Sequence, residues 1–252
     1  MKKYFIFLMV FVFILASGCG DGEIKETDSV KKTPYSVEIE TAYRSYTAED
    51  GMEIIYISAE YPVIDDRDKN ADIDVLNEMY RQNADDYINA VINDFGERAA
   101  EAYKADPESF EEYLFYQQCS VTFNKNGYLS IKRDYTEEYE DFKGEETYAD
   151  VYDMTEMRAL YANEVISSSA EDTMKIIFLG YSSVADEFPE RFKEGYTDII
   201  NQALPETEFY LTDTAMVFVM QPGIATYPEY GCLMFEMPYK GNENFFKDLL
   251  EE

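Results

Sequence analysis

Cys119-Ser120-Val121-Thr122-Phe123-Asn124-Lys125-Asn126-Gly127-Tyr128-Leu129-Ser130-Ile131-Lys132-Arg133 is the stretch that decides the fold. Cys119, Val121 and Phe123 alternate along one run, and Leu129, Ile131 and Arg133 along the next, with the period of two that belongs to β-strands. A loop of two or four residues between the runs would send the two apolar sets to opposite faces. A three-residue loop, Lys125-Asn126-Gly127, instead pairs Phe123 with Leu129 and Val121 with Ile131, with Gly127 in the left-handed position of a type I turn plus bulge. The stretch predicts an antiparallel hairpin, with Cys119 in the same layer as Val121.

Upstream of the hairpin, Ile73, Leu76, Tyr80, Ala84, Tyr87, Val91, Phe95, Ala99 and Tyr103 recur at spacings of three and four. That is one apolar stripe on a helix of about eight turns. Asp85, Asp86, Glu97 and Arg98 lie off it, so its tyrosines read as core. Before the helix, Ser36–Ala42 and Glu53–Tyr61 alternate as two strands, with Val37/Ile39 and Ile55/Ile57/Ala59 each sharing a face and Tyr61-Pro62 closing the second. Downstream, the acidic Glu137–Glu146 reads as a loop or sheet edge and Tyr148–Met154 as a strand. Helices are expected over Ala170–Val184 and Pro189–Leu204. Phe209–Leu211 and Ala215–Met220 form a second hairpin, Gly231–Met237 a last strand and Asn242–Leu250 a short helix. Segregated strands and helices with antiparallel hairpins define an α+β class. The expected architecture is an antiparallel sheet with a long helix packed on it, in two intimately packed subdomains over residues 35–154 and 155–252.

The composition narrows the chemistry. In 252 residues there are 52 acidic against 21 basic side chains, a formal charge of −31, and no histidine. Zero histidine removes His-based triads, His-ligated zinc and haem, and imidazole acid–base chemistry. So acidic a surface repels phosphate backbones, which argues against nucleic acid. A basic protein, a cation or a neutral glycan stays open as partner. With 46% apolar residues the chain has enough to build a core.

The N-terminus reads as an address. Met1-Lys2-Lys3 is a positive n-region, Tyr4–Ala16 is an apolar run too short for a comfortable span, and Leu15-Ala16-Ser17-Gly18-Cys19 places small residues before a cysteine. This resembles the bacterial lipoprotein signal, with residues 1–18 removed, Cys19 acylated and the protein held on a membrane surface outside the cytoplasm. An ordinary secretory signal with an incidental cysteine is the alternative. Removal of residues 1–18 leaves 19 basic against 52 acidic side chains, −33. Residues 19–34 then form a polar tether. Two cysteines remain: Cys119 and Cys232 form a disulfide in an oxidising envelope on one reading and stay buried free thiols on the other.

The order of motifs resembles the paired domains of unknown function in the ectodomain of the anti-sigma factor RsiV and in the accessory region of the peptidoglycan deacetylase PdaC. Tyr61-Pro62-Val63-Ile64-Asp65, the helix through Asn77, the Asn124–Gly127 hairpin leading into Leu129-Ser130, Phe209–Asp213, Gln221-Pro222, Ile224-Ala225, Tyr227, Gly231 and Pro238-Tyr239 carry it, over about residues 45–240. Members of that group commonly have a Gly-Gly-Ala-His-Gly-like turn after the first hairpin. Here the region reads Glu138-Tyr139-Glu140-Asp141-Phe142-Lys143-Gly144-Glu145-Glu146, so no role tied to that histidine transfers. The resemblance implies a non-catalytic envelope module without cofactor, and RsiV-type ectodomains recognise lysozyme, a small basic protein.

Other chemistry is sparse. Gly180-Tyr181-Ser182-Ser183 begins like a nucleophile elbow but lacks the closing glycine and any histidine to activate a serine; it reads as a helix end or loop. Asp66-x-Asp68-x-Asn70-Ala71-Asp72 imitates an EF-hand loop, with Ala71 where the turn wants glycine and Asn77 where the last ligand wants glutamate. Weak calcium binding by Asp66, Asp68, Asn70 and Asp72 is one reading, and capping of the long helix by Asn70 or Asp72 the other. Tyr227 and Tyr230, around Pro228, are candidates to stack on sugar rings. The expected function is sensing or sequestering an envelope ligand, with a cell-wall glycan module as the alternative and a hydrolase of unseen mechanism as the third.

Overall fold

Asn70 begins the long helix: its Oδ1 accepts a 3.0 Å hydrogen bond from the Asp72 amide, while Asp72 and Asp74 sit at the positive end of the helix dipole. In the computed structural model, which describes residues 33–65 and 70–250, this helix, α1, runs Ala71–Ala105. The predicted stripe is its buried face: Ile73, Leu76, Tyr80, Ala84, Tyr87, Val91 and Ala99 are all buried. The described residues lie in one compact unit, Lys31–Glu252.

The helix packs on a six-stranded sheet of order β1-β2-β3-β4-β5-β6: β1 Val37–Thr47, β2 Glu53–Ile64, β3 Tyr113–Lys125, β4 Tyr128–Tyr139, β5 Phe142–Asp153 and β6 Arg158–Ala159. All neighbours are antiparallel except β2 and β3, which are parallel and joined by α1 as a βαβ crossover. Ile55, Ile57, Ala59, Tyr113 and Phe115 face α1 in one core, and Cys119, Leu129, Ile131 and Tyr152 meet Ile73, Leu76 and Tyr80 in another. Asn77 ties helix to sheet, its side-chain amide bonding both N–H and C=O of Ile64 at 2.8 and 2.9 Å.

Three local expectations are corrected. The β3–β4 turn has two residues, not three: Asn126 and Gly127 take positive φ (56° and 85°) and Lys125 pairs with Tyr128. The extra residue sits inside β3 as a bulge between Val121 and Phe123, where the Thr122 hydroxyl donates to Ser130 Oγ at 2.9 Å. Val121 does pair with Ile131, but Phe123 pairs with Ser130 and is carried to the opposite face, into the second core. Glu137–Glu146 is no loop but the end of β4, a two-residue turn and the start of β5. Finally, β2 runs through Pro62 to Ile64. The Asp65 amide bonds the Ser36 carbonyl, so by alternation the Pro62 nitrogen points toward β3, whose pairing with β2 has already ended at Ala59.

The second layer contains α2 Ala162–Val165, α3 Ala170–Glu187, α4 Tyr196–Ala203, a sheet β7-β8-β9 (Glu208–Leu211, Ala215–Met220, Leu233–Pro238) and α5 Lys247–Leu250. Ser169 caps α3 through the Asp172 amide. Every residue of β8 is buried, and its core includes Phe123 and Val151 from the large sheet. Gly180 lies inside α3, not at a helix end, and a Cβ there would run into the Phe235 ring of β9. It is a packing glycine.

The free margin of β5 is sealed by this layer. Gln221 Oε1 accepts from the Thr147 amide and its Nε2 donates to the Thr147 carbonyl. Glu208 accepts from the Ala149 amide, and the Leu160 amide donates to the Val151 carbonyl. Ser130 Oγ accepts from the Leu211 amide at 3.0 Å, and Asn126 in the hairpin turn donates to the Leu249 carbonyl. Side chains here stand in for a missing strand.

Candidate functional site

Strand alternation turns Ile55, Ile57 and Phe115 toward α1, so Tyr56, Ser58, Leu114 and Tyr116 face the other way. Register extends this face across four strands, with Tyr43 opposite Ser58, Ser58 opposite Tyr116 and Tyr116 opposite Thr136. Tyr43 is 75% exposed. The Tyr56 and Tyr116 rings lie 5.9 Å apart. Acids surround them: burial raises the Tyr116 hydroxyl pKa, and Tyr56, Glu112 and Glu138 add to the shift. Burial likewise raises the Glu112 carboxyl, helped by Glu53. Glu138 pairs with Lys143 at 3.0 Å. The result is an open aromatic face with an acidic margin, whose tyrosines bring apolar area and a polar tip together.

The two tyrosines named from the sequence lie elsewhere. Tyr227 and Tyr230 flank a short 3-10 turn, each 43% exposed. Their loop is braced: Lys193 Nζ donates to the Gly223 and Ile224 carbonyls, the Lys193 amide to Ala225, and the Tyr227 amide to the Arg191 carbonyl. The Arg191 guanidinium lies 4.2 Å from the Phe188 ring centre and 5.7 Å from that of Tyr230. The loop presents aromatic rings from a rigid mount.

Of the calcium candidates, Asp66 and Asp68 lie outside the described residues, as does Cys19. Asn70 spends its oxygen on the helix cap. Among the described residues no cluster of His, Cys, Asp or Glu has metal-holding geometry. Of the two readings of the cysteines, the structure shows the free-thiol one, with Cys119 buried and Cys232 half-buried. Cys119 is buried beneath α1, whereas Cys232 lies beside Gln221, on the layer that seals β5. Burial pushes the two thiols up to about 12 and about 11.

Beneath α1 the sheet carries a polar centre absent from the sequence reading. Arg133, 2% exposed, donates to Asp150 Oδ2 at 2.8 Å, and the Tyr80 hydroxyl donates to the same oxygen at 3.0 Å. Asp150 falls within the predicted strand Tyr148–Met154, but nothing in that local pattern marks it as a partner of Arg133. Only the pairing of Ile131 with Asp150 brings it to the α1 face beside Arg133. The open face went unread because β3 begins at Tyr113, earlier than the hairpin pattern shows. The available signal was the polar phase of β2, where Tyr56 alternates with core isoleucines.

No protein-family model and no curated protein matches the sequence. The fold is shared with solved structures of bacterial DUF3298-family proteins, a domain of unknown function. One, from Bacteroides fragilis, superposes with a TM-score of 0.56 at 14% identity, over 84% of this chain and 93% of that one. Another, from Pseudomonas aeruginosa, gives 0.55 at 12% identity, over 87% and 98%. No helix among the described residues is long and apolar enough to cross a membrane.

Proposed function

We propose that this protein is a lipid-anchored, extracytoplasmic, non-catalytic module that captures a small basic protein of the envelope on the open face of β1–β4. The observation that carries the reading is the pairing of Tyr43, Tyr56 and Tyr116 with Glu112 and Glu138 on one uncovered sheet face. Large rings supply contact area, and the acidic margin steers and orients a cationic partner. The signal pattern ending at Cys19, the −31 charge and the resemblance to RsiV-type ectodomains and the PdaC accessory region support the same reading. Lysozyme is the partner of choice for a test.

The braced, half-exposed rings of Tyr227 and Tyr230 favour a second reading, stacking on a cell-wall glycan. Calorimetric titration of lysozyme into residues 20–252 at low and at physiological salt separates the two. Submicromolar binding that survives physiological salt supports a shaped protein interface. Binding that vanishes with salt is charge attraction alone and overturns it. Salt-insensitive binding of muropeptides, lost on Tyr227→Ala, supports the glycan.

A further inference from the structure

The two margins of the large sheet are treated differently. That of β5 is closed by Gln221, Glu208 and Leu160, whereas β1 is the terminal strand on the other side. Between Val37 and Tyr46 it has no proline and no register shift, and Glu38 to Thr41, Tyr43 and Arg44 are exposed. Among the described residues no strand pairs with this edge, and an edge of this length is a template for another strand.

The alternation fixes what that strand must offer. The Asp65 amide bonds the Ser36 carbonyl, so even-numbered residues of β1 turn their backbone groups toward β2. Val37, Ile39, Thr41, Tyr43 and Ser45 turn theirs outward. An antiparallel partner must therefore align its own outward-facing residues with these.

We propose that β1 pairs with β1 of a second copy, antiparallel about Thr41, joining the two large sheets into one. That register obeys the alternation: Thr41 meets Thr41 of the partner copy, and Ile39 meets Tyr43, as hydrogen-bonded pairs. Ile39 and Tyr43 are the large apolar side chains that β1 exposes, at 40% and 75%, and the two-fold axis sets each against the other. The non-hydrogen-bonded pairs, where side chains come closest, place Glu38 opposite Arg44 twice over. Arg44, which donates to exposed Asn89 at 2.8 Å, can be redirected at the cost of a single surface bond. Shifting the pairing by two residues toward the N-terminus would instead set Glu40 against Glu40. The interface is isologous, so it closes at a dimer.

Tyr43 is common to this interface and to the open face, so the test is made without ligand. The proposal is tested by sedimentation of the protein alone at about 100 μM and physiological salt, where charges are screened beyond about 8 Å. The wild type is expected at the dimer mass, and Thr41→Pro, which removes an outward N–H and leaves the β1–β2 ladder intact, at the monomer mass with unchanged melting temperature. Exposed Arg44→Glu, which leaves the backbone of the strand untouched, gives a second arm: its dimer dissociation constant rises by about tenfold, and Glu38→Arg with Arg44→Glu restores it to within about threefold. A monomeric wild type, a Thr41→Pro dimer, or failure of the charge swap to restore association overturns the proposal.

Discussion

Two buried carboxyls, Glu137 and Glu208, tie the protein's stability to pH near neutrality. Burial pushes Glu137 up to about 7, with Glu146 adding to the shift, and burial does the same to Glu208 against the opposing bond from the Ala149 amide. Both titrate near 4.5 when unperturbed, so between about pH 4.5 and 7 the folded state keeps protons that the unfolded state has lost. Stability is therefore full at the acid end of that window and falls as pH rises through it, by on the order of 2 kcal/mol for each group. Urea denaturation should show the protein more stable at pH 5.5 than at 8, with a shallower slope in Glu137→Gln and Glu208→Gln; a profile rising toward pH 8 contradicts this. The Arg133–Asp150 pair makes a second residue-scale prediction. Arg133→Met strands a carboxylate beneath α1 and should cost about 3–5 kcal/mol, whereas a loss below about 1 kcal/mol would make the pair a surface-like contact. The raised thiols of Cys119 and Cys232 predict no alkylation of either in native protein at pH 8 and full alkylation in urea, read by peptide mapping. At this scale the sequence showed what chain-local chemistry determines. Asn70 was legible as a cap because its bond spans two residues, whereas Asp150 was not, because its partners Arg133 and Tyr80 arrive from 17 and 70 residues away.

At the scale of elements, Gly180 and Thr122 carry the most information. A glycine in an exposed helix interior normally gains about 1 kcal/mol on replacement by alanine. Here the added methyl meets the Phe235 ring across the α3–β9 contact, so Gly180→Ala should lose about 1–3 kcal/mol instead. Thermal denaturation reads the sign, and a stabilised variant would contradict the packing account. The long helix was legible almost residue for residue, because a 3.6-residue stripe over Ala71–Ala105 is a strong periodic signal. The β3–β4 hairpin was legible as a hairpin and as a parity problem: one extra residue is needed to align Val121 with Ile131. Its position was not. Asn126-Gly127 satisfies the tight turn that follows the strand twist, which moves the surplus residue to Thr122, where a hydroxyl bond to Ser130 holds it. Phe123 thereby serves the second core, a role set by β8 and α3 and invisible in the local pattern.

The whole molecule joins two sheets through one shared core, with one margin of the large sheet sealed and an aromatic face left open. The α+β class was readable from element order. The open face was not, because it depends on which strand faces the second layer leaves uncovered. In the proposed function, partner capture rests on Tyr43 and Tyr116, with charge as the steering term. Attraction by charge alone would be indifferent to those rings. The most direct test is calorimetry of lysozyme with the Tyr43→Ala, Tyr116→Ala variant at physiological salt, beside wild type of equal melting temperature. The account predicts affinity at least about tenfold weaker in the variant; equal affinity would contradict it.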